Sequence, residues 1–315
     1  MHLEESTMQA LVTTGLGQLE LKLAEVADPR PGSAEALVAL AATSLNAGEV
    51  RGIADSPAGT VLGWDVAGTV VEAADDGSGP APGTRVVGLV SDGAWAQRVA
   101  VPTSALATIP DSVTFAEAAT LPVAGLTAWR ALELGGLLLR RRVLVTGGAG
   151  GVGRIAIQLA HRAGAHVTAV VGRPERAHGL QALGADSIVI GIETAHDTYD
   201  VVLESVGGPS LTHALNHLAE QGILVTYGRS AHETATIGEG WFATHSGASM
   251  HGLLVFTEVA QRRLGTEQLT KMLQLIADRQ LDPQVSLEVS WRDAAAAART
   301  LLDRNLAGKA VLHVD

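Results

Sequence analysis

The second half of the chain alternates between short apolar runs and segments in which apolar residues recur with a helical period. The apolar runs are typical of buried strands and occupy residues 143–146, 167–171, 188–190, 200–203 and 223–227. The segments between these runs predict helices at residues 152–163, 174–183 and 209–219. Strict alternation of strand and helix predicts a parallel, doubly wound sheet.

The first third of the chain instead contains short apolar runs separated by turn residues. These runs cover residues 36–41, 66–71, 85–90 and 95–101. Several short strands at this spacing predict a compact, barrel-like β domain. Thr114, with Glu117 three residues later, predicts a capping box at the start of a helix. The chain is therefore expected to be an α/β protein. Two domains are expected because its 315 residues are more than a single hydrophobic core usually accommodates.

A glycine-rich turn lies between the first predicted strand and helix of the alternating region. Gly148, Gly150 and Gly153 form a G-x-G-x-x-G motif in a strand–turn–helix–strand context. We expect Gly148 to permit the sharp turn, Gly150 to let a diphosphate approach the backbone, and Gly153 to permit close helix packing. The helix start, with Gly151 and Val152, offers N–H groups to that anion. A glycine turn in another kind of α/β protein is the alternative, and the flanking elements disfavour it.

The end of the second predicted strand indicates which dinucleotide binds. NAD-binding proteins usually carry a carboxylate there, and this chain has Gly172 and Arg173 instead, with Arg176 just beyond. A guanidinium offers planar donors suited to a 2′-phosphate, so the sequence favours NADPH. The alternative is that both arginines form a solvated helix start, and Glu175 between them would weaken a basic pocket.

The composition excludes several classes of site and partner. The net charge of −11 argues against a nucleic-acid or acidic-membrane surface. The absence of cysteine excludes disulfides, thiolate zinc sites and cysteine nucleophiles. No apolar run approaches the roughly 20 residues of a membrane helix, and Glu4 and Glu5 argue against a signal peptide. A cytoplasmic protein acting on a small-molecule substrate is expected.

Several motifs in order along the chain resemble the medium-chain dehydrogenase/reductase superfamily, and within it the zinc-free quinone oxidoreductase (zeta-crystallin-like) branch. Besides the glycine turn they are Asn46 and residues 63–68, 82–86, 121–128 and 308–312. The resemblance implies a GroES-like catalytic domain at 8–122, completed by 281–315, and a Rossmann dinucleotide-binding domain at 123–280. It also implies a homodimer joined through an edge strand of the Rossmann sheet, for which residues 253–256 are the candidate.

The resemblance also implies the residues of the catalytic site. Asn46 would face the nicotinamide and the substrate, and Thr127 would bond the nicotinamide carboxamide. A turn amide is the alternative for Asn46, and a hydroxyl bonded to its own helix is the alternative for Thr127. Tyr227 follows a strand at the cofactor-facing edge and is a candidate proton donor, with solvent as the alternative.

No metal is expected at this site. Zinc-dependent relatives place a cysteine where this chain has Asn46 and a histidine where it has Trp64, and neither replacement suits zinc. The histidines, among them His2, His213 and His217, show no metal-ligand spacing. Tyrosines that relatives often carry soon after the Asn46 position and near Gly191 are missing.

The leading hypothesis is an NADPH-dependent oxidoreductase that transfers hydride to a quinone or an α,β-unsaturated carbonyl without metal. An enoyl-thioester reductase of polyketide or fatty-acid type shares the fold and the glycine turn, and is the first alternative. A protein that binds NADPH without turnover, as a sensor or structural protein, is the second, and the missing tyrosines favour it.

Overall fold

A computed structural model describes residues 6–261 and 263–315 in two compact units. The first unit extends to Leu126 and resumes at Phe256, and the second comprises Thr127–Val255. The return to the first unit comes earlier than the expected position 281. Expectations placed on His2, Glu4 and Glu5 lie outside the described residues.

The bounds of the regular elements follow in chain order. The strands are β1 (Thr7–Thr13), β2 (Leu21–Ala27), β3 (Glu35–Ser44), β4 (Asp65–Glu72), β5 (Arg85–Leu89), β6 (Arg98–Pro102), β7 (Leu106–Thr108), β8 (Arg142–Val145), β9 (His166–Val171), β10 (Ser187–Ile190), β11 (Tyr199–Glu204), β12 (Leu218–Thr226), β13 (Ser249–Gly252), β14 (Val285–Ser290) and β15 (Lys309–His313). The helices are α1 (Ala47–Asp55), α2 (Phe115–Ala119), α3 (Leu126–Leu134), α4 (Gly151–Arg162), α5 (Gly208–Asn216), α6 (Trp241–Thr244), α7 (Val255–Ala260), α8 (Thr266–Ala277) and α9 (Ala294–Leu302).

The first unit is built on a mostly antiparallel sheet of order β14-β15-β3-β4-β5-β7, with β6 also paired to β3, beside a hairpin of β1 and β2. The last strand, β15, pairs antiparallel with β3, so that Val311 lies opposite Ser44. This pairing brings the end of the chain to the end of β3. The predicted capping box at Thr114 and Glu117 is confirmed, since Glu117 N–H donates to the Thr114 hydroxyl.

Helix α8 explains why the first unit resumes early. Its first residue, Thr266, donates its hydroxyl to the Ser104 carbonyl at 3.0 Å. Further along α8, the Met272 sulfur lies so close to Gly125 that a Cβ added there would be 3.0 Å away. These contacts tie α8 to the first unit, whereas the sequence analysis placed it in the second.

The second unit is a parallel six-stranded sheet of order β10-β9-β8-β11-β12-β13. This order confirms the predicted α/β, Rossmann-type fold. The helix predicted at 174–183 is wrong beyond a short 3₁₀ turn at Pro174–Ala177. Gly179 has a φ of +79°, which a continuous helix does not allow.

The edge of this sheet is β13, which ends at Gly252. The expected edge strand at residues 253–256 therefore lies just after the observed one. Among the described residues no helix is both long and apolar enough to cross a membrane.

Candidate functional site

The glycine turn of the second unit joins β8 to α4 and is tightly packed at one glycine and open at another. A Cβ added to Gly153 would lie 2.5 Å from the Gly147 carbonyl oxygen and 2.8 Å from the Gly148 Cα. A Cβ on Gly150 would meet only the Gly147 carbonyl, at 3.3 Å, so one side of Gly150 is open. The backbone is thus exposed to a ligand at Gly150 and tightly packed beneath Gly153.

The sharp bend of the turn lies one residue earlier than expected. Gly147 has φ of +60°, whereas Gly148 has no positive φ. A Cβ on Gly148 would approach the Ala169 Cβ to 3.1 Å, so Gly148 is required for packing against β9. The turn role expected for Gly148 therefore belongs to Gly147.

The start of α4 is suited to an anion. Gly150 is the N-cap residue, and its carbonyl accepts from Arg154 N–H at 2.9 Å. The backbone N–H groups of Gly151, Val152 and Gly153 lie in the first helical turn, where a helix leaves donors without carbonyl partners and carries about half a positive charge. This arrangement fits a dinucleotide diphosphate.

Two arginines follow β9, as the sequence predicted. Arg173 is exposed and is the N-cap of the 3₁₀ turn, and Arg176 within that turn is half-buried. Arg154, which the sequence analysis did not single out, is only 8% exposed and donates from its guanidinium to the His178 carbonyl at 2.7 Å. It ties α4 to the segment that carries the two arginines.

Tyr227 follows β12 and lines an open pocket of about 380 Å³ at the carboxyl ends of the sheet strands. The other lining residues are Thr226, Gly228, Arg229, Gly252, Leu253 and Leu254. Burial, and secondarily the nearby charge of Glu204, raise the pKa of the Tyr227 hydroxyl. The hydroxyl therefore stays protonated and is a weaker acid than an exposed tyrosine.

Thr127 and Glu204 complete the candidate residues of the second unit. Thr127 is the second residue of α3 and is 5% exposed. Glu204 ends β11, and its carboxylate accepts from the backbone N–H of Val206 and Gly207, each at 3.0 Å. Burial raises the pKa of Glu204, and these hydrogen bonds oppose the rise. Glu204 thereby holds the loop that leaves the carboxyl end of β11.

Asn46 lies in the first unit, immediately after β3 and at the N-cap of α1, where its side chain makes no capping bond to the helix. Its amide instead enters a buried cluster of Asn46, Glu49, Asp65 and Lys309, which we call the polar cluster. Lys309 arrives from the start of β15 because the Leu45 N–H donates to the Ala310 carbonyl at 2.9 Å.

Every polar atom of the Asn46 amide has a partner in the polar cluster. The Oδ1 atom accepts from Lys309 Nζ at 2.6 Å, which fixes the orientation of the amide. The Nδ2 atom donates to Asp65 Oδ2 at 2.8 Å and to Glu49 Oε1 at 3.1 Å. Because both amide protons face carboxyl groups of the chain itself, Asn46 has no N–H left for a substrate oxygen in this arrangement.

Asp65 is the centre of the polar cluster and is fully buried. Its Oδ1 accepts from the Val123 N–H at 2.8 Å, and its Oδ2 accepts from the Ser44 hydroxyl as well as from Asn46. Lys309 Nζ lies 3.4 Å from the same Oδ2 and also donates to the Leu45 carbonyl at 3.1 Å. A buried carboxylate with a paired cation and several donors is compensated for its loss of water.

Glu49 is the second carboxyl of the polar cluster. Its Oε1 accepts from the Asn46 backbone N–H at 2.6 Å. Burial, followed by repulsion from Asp65, raises the pKa of Glu49 well above its ordinary value, against the opposing effect of Lys309. Glu49 therefore holds a proton more tightly than an exposed glutamate does.

The residues around Asn46 do not fit a zinc ion. The Lys309 ammonium stands beside the only side-chain oxygen of Asn46, so a positive charge already occupies that space. Trp64, half-buried, places its indole over Gly48, where an added Cβ would come within 2.7 Å of the ring. Within residues 6–261 and 263–315, no group of three or more His, Asp or Glu side chains could hold a metal.

The structure thus collects the glycine turn, Arg173, Arg176, Thr127 and Tyr227 in the second unit and Asn46 in the first. Sequence reasoning missed Glu49 and Lys309, and it assigned no chemistry to Asp65. The i, i+3 relation of Asn46 and Glu49 at a helix start was the one local signal available.

Two family models match the chain. One, described as an alcohol dehydrogenase GroES-like domain, matches residues 32–111, and the other, described as a zinc-binding dehydrogenase, matches residues 183–312.

Among curated relatives, 2-methylene-furan-3-one reductase of Solanum lycopersicum is 36% identical over 64% of this chain and 58% of that protein. Phthioceranic/hydroxyphthioceranic acid synthase of Mycobacterium tuberculosis (strain ATCC 25618 / H37Rv) is 30% identical over 99% of this chain. The chain spans only 15% of the length of that synthase and less than two thirds of the length of the tomato reductase.

Solved structures are similar over nearly the whole chain. The quinone oxidoreductase from Coxiella burnetii is 26% identical, with a TM-score of 0.84 over 98% of this chain and 100% of that one. Mycobacterial Rv1454c complexed with NADPH is 25% identical, with a TM-score of 0.87 over 97% of this chain and 99% of that one. With both domain models matched in order and the fold shared throughout, the chain belongs to the medium-chain dehydrogenase/reductase family and is similar to its zinc-free quinone oxidoreductases.

Proposed function

We propose that this chain is an NADPH-dependent oxidoreductase that transfers hydride to a quinone or an α,β-unsaturated carbonyl without a metal ion. The observation that carries the proposal is the glycine turn, which exposes backbone at Gly150 and packs Gly153 against Gly147. Only a ligand that needs close backbone approach at a helix start makes use of that geometry.

The cofactor is NADPH. The backbone N–H groups at the start of α4 hold the diphosphate, and Arg173 and Arg176 lie after β9, where a 2′-phosphate is recognised. The NADPH carried by the mycobacterial neighbour supports the same cofactor here. The reduced nicotinamide supplies the hydride, and the protein supplies binding, orientation and electrostatics.

The remaining site residues have positioning and electrostatic roles. We assign Thr127 to the nicotinamide carboxamide and Asn46 to the place beside the nicotinamide and substrate. Tyr227 lines the pocket at the carboxyl ends of β12 and β13, and its raised pKa favours binding over proton donation. Lys309 donates to the Asn46 amide oxygen and so fixes the orientation of that side chain.

A second candidate activity is reduction of an enoyl thioester. It is supported by the match to polyketide synthase GfsB of Streptomyces halstedii, which is 34% identical over 81% of this chain. Both activities deliver hydride to a carbon conjugated with a carbonyl group, so they share the same chemistry and differ in the group attached to that carbonyl.

The test is a stopped-flow screen in which NADPH and NADH are offered in parallel with quinones, simple enones and an enoyl-N-acetylcysteamine thioester. We expect oxidation of NADPH with a quinone or enone and slower use of NADH. A preference for the thioester by tenfold or more selects the second candidate. Tight NADPH binding with no oxidation by any acceptor refutes both and leaves a cofactor-binding protein without turnover.

We also propose a homodimer, with β13 as the edge strand that meets its counterpart. Light scattering coupled to gel filtration tests it, and a monomer at micromolar concentration contradicts it.

A further inference from the structure

The segment that carries the two arginines after β9 ends in a turn whose central peptide is reversed relative to a helix. Leu180 N–H donates to the Ala177 carbonyl at 3.2 Å, and His178 and Gly179 lie between them. His178 has φ of −56° and ψ of 130°, and Gly179 has φ of +79°. These three angles match a type II turn, which requires a positive φ at its third residue. The His178 carbonyl therefore points away from the direction that it would take in a helix.

This reversed carbonyl meets the guanidinium of Arg154. Arg154 Nη2 donates to the His178 carbonyl at 2.7 Å, and a Cβ added to Gly179 would lie 3.7 Å from Arg154 Nη1. Arg154 is buried, and a buried guanidinium must replace its lost water with hydrogen bonds from the protein. Hydrogen bonds that involve a charged group are also stronger than those between neutral groups. The contact therefore fixes the position of the turn.

The backbone of Arg154 belongs to the glycine turn. Arg154 directly follows Gly153 in α4, and its N–H donates to the Gly150 carbonyl at 2.9 Å. Its own carbonyl accepts from the Gln158 side chain at 3.1 Å. One residue thus has its backbone in the turn proposed for the diphosphate and its side chain on the segment proposed for the 2′-phosphate.

The segment between β9 and the type II turn is held at both of its ends. It starts after Val171, the last residue of β9, and it ends at His178, which is bonded to Arg154. Arg173 and Arg176 lie between these two points, and Arg176 N–H donates to the Arg173 carbonyl at 3.1 Å. A segment that is already fixed at both ends loses less conformational entropy when a ligand binds to it.

We propose that Arg154 is a positioning residue for cofactor choice. By holding the His178 carbonyl, it keeps Arg173 and Arg176 in the arrangement that recognises a 2′-phosphate. This inference rests on the proposed function and deepens it, because that function assigns the two arginines without saying what orients them. Arg154 acts through the other two arginines and not through its own charge, so its loss affects NADPH and spares NADH, which lacks the 2′-phosphate.

The first test is a thermodynamic cycle measured by titration calorimetry. Arg154→Met keeps a long side chain and removes its donors. We expect its Kd for NADPH to rise by about tenfold and its Kd for NADH to change by less than about twofold. In the Arg173→Ala with Arg176→Ala background, the same substitution is expected to change the Kd for NADPH by less than about twofold, because residues that act through one another are not additive. Arg162→Met, at an exposed position in the last turn of α4, is the matched control and binds both cofactors as wild type does.

A second variant disturbs the type II turn and leaves the charge of Arg154 in place. Gly179→Ala puts a Cβ on a residue with φ of +79°, which disfavours the turn, while Arg154 Nη1 stays at an ordinary contact distance from that Cβ. We expect the Kd for NADPH to rise by about threefold or more and the Kd for NADH to stay nearly unchanged. Gly59→Ala in the first unit has φ of +87° and no described atom within 4 Å of the new Cβ, so it is the matched control for strain. Gly179→Ala keeps the test valid where Arg154→Met folds poorly.

The outcomes separate this inference from the proposed function. A wild type that binds neither cofactor, or binds NADH as tightly as NADPH, refutes the proposed cofactor and this inference with it. A wild type that prefers NADPH, with Arg154→Met keeping that preference, refutes the role of Arg154 alone. Equal losses for the two cofactors, or the same NADPH loss with and without Arg173 and Arg176, also overturn it, because Arg154 would then act on the fold or by its own charge.

Discussion

The side-chain ammonium of Lys309 lies 2.6 Å from the amide oxygen of Asn46, although 263 residues separate them along the chain. The antiparallel pairing of β15 with β3 creates this contact. It places a positive charge, paired with Asp65, beside the amide of Asn46 within the first unit.

Replacement of Lys309 by Met is expected to destabilise the fold. The substitution leaves the Asp65 carboxylate buried without its cation, and breaking a buried pair in this way typically costs about 3–5 kcal/mol. Urea unfolding measures the loss, and Lys271→Met, which breaks the exposed pair with Glu267, serves as the control with no resolved change. Equal stability of Lys309→Met and wild type would show that the pair contributes nothing.

Gly153→Ala is expected to weaken dinucleotide binding by at least about tenfold. The added Cβ would lie 2.5 Å from the Gly147 carbonyl oxygen, so the turn must open and its N–H groups must move. Titration calorimetry with NADPH measures the effect. Gly52→Ala, where nothing lies within 4 Å of the new Cβ, is the matched control and binds as wild type does. Unchanged affinity in Gly153→Ala would remove the glycine turn from the binding site.

The double substitution Arg173→Ala with Arg176→Ala is expected to lower NADPH affinity by about tenfold or more and to leave NADH affinity nearly unchanged. The two guanidinium groups read the 2′-phosphate, which NADH lacks. Arg292→Ala with Arg299→Ala removes the same charge from the first unit and controls for net charge. Equal losses for the two cofactors would assign the arginines to a general electrostatic effect.

The pH dependence of stability provides an independent measure of Glu49. Above the ordinary value of 4.5 the unfolded chain releases this proton, while the folded chain retains it because burial and Asp65 raise the pKa. The free energy of unfolding therefore falls as pH rises through this window, by up to about 1.4 kcal/mol per pH unit. Glu49→Gln lacks this contribution, so its stability declines less with pH than that of wild type. Parallel curves would mean that Glu49 is ionised in the folded protein. Glu267→Gln is the control. Glu204, whose pKa is also raised, is unchanged in wild type and in both variants, so its contribution to the pH dependence is the same in all three.

Features set by local spacing could be predicted from the sequence. The glycine turn, the strands from β8 to β11, the capping box at Thr114 and the two arginines after β9 each depend on residues close together in the chain. The helix predicted at 174–183 failed because Gly179, which has a positive φ, interrupts a segment whose apolar spacing is helical. The apolar periodicity alone does not show that a glycine within the segment adopts a positive φ.

The polar cluster could not be predicted, because its members come from three separate segments. Asn46 is the N-cap of α1 and Glu49 lies in its first turn, Asp65 begins β4, and Lys309 begins β15. Strand pairing brings these segments together, and the sequence alone does not specify which buried carboxyl loses its proton.

The most direct test of hydride transfer without a metal is single-turnover reduction of an enone, in excess EDTA, by NADPH that carries deuterium at both C4 positions of the nicotinamide. The account predicts one deuterium on the β-carbon of the product for each NADPH consumed, at a rate that the chelator does not change. Absence of the label from the product, or loss of turnover on chelation with recovery on adding zinc, would contradict it.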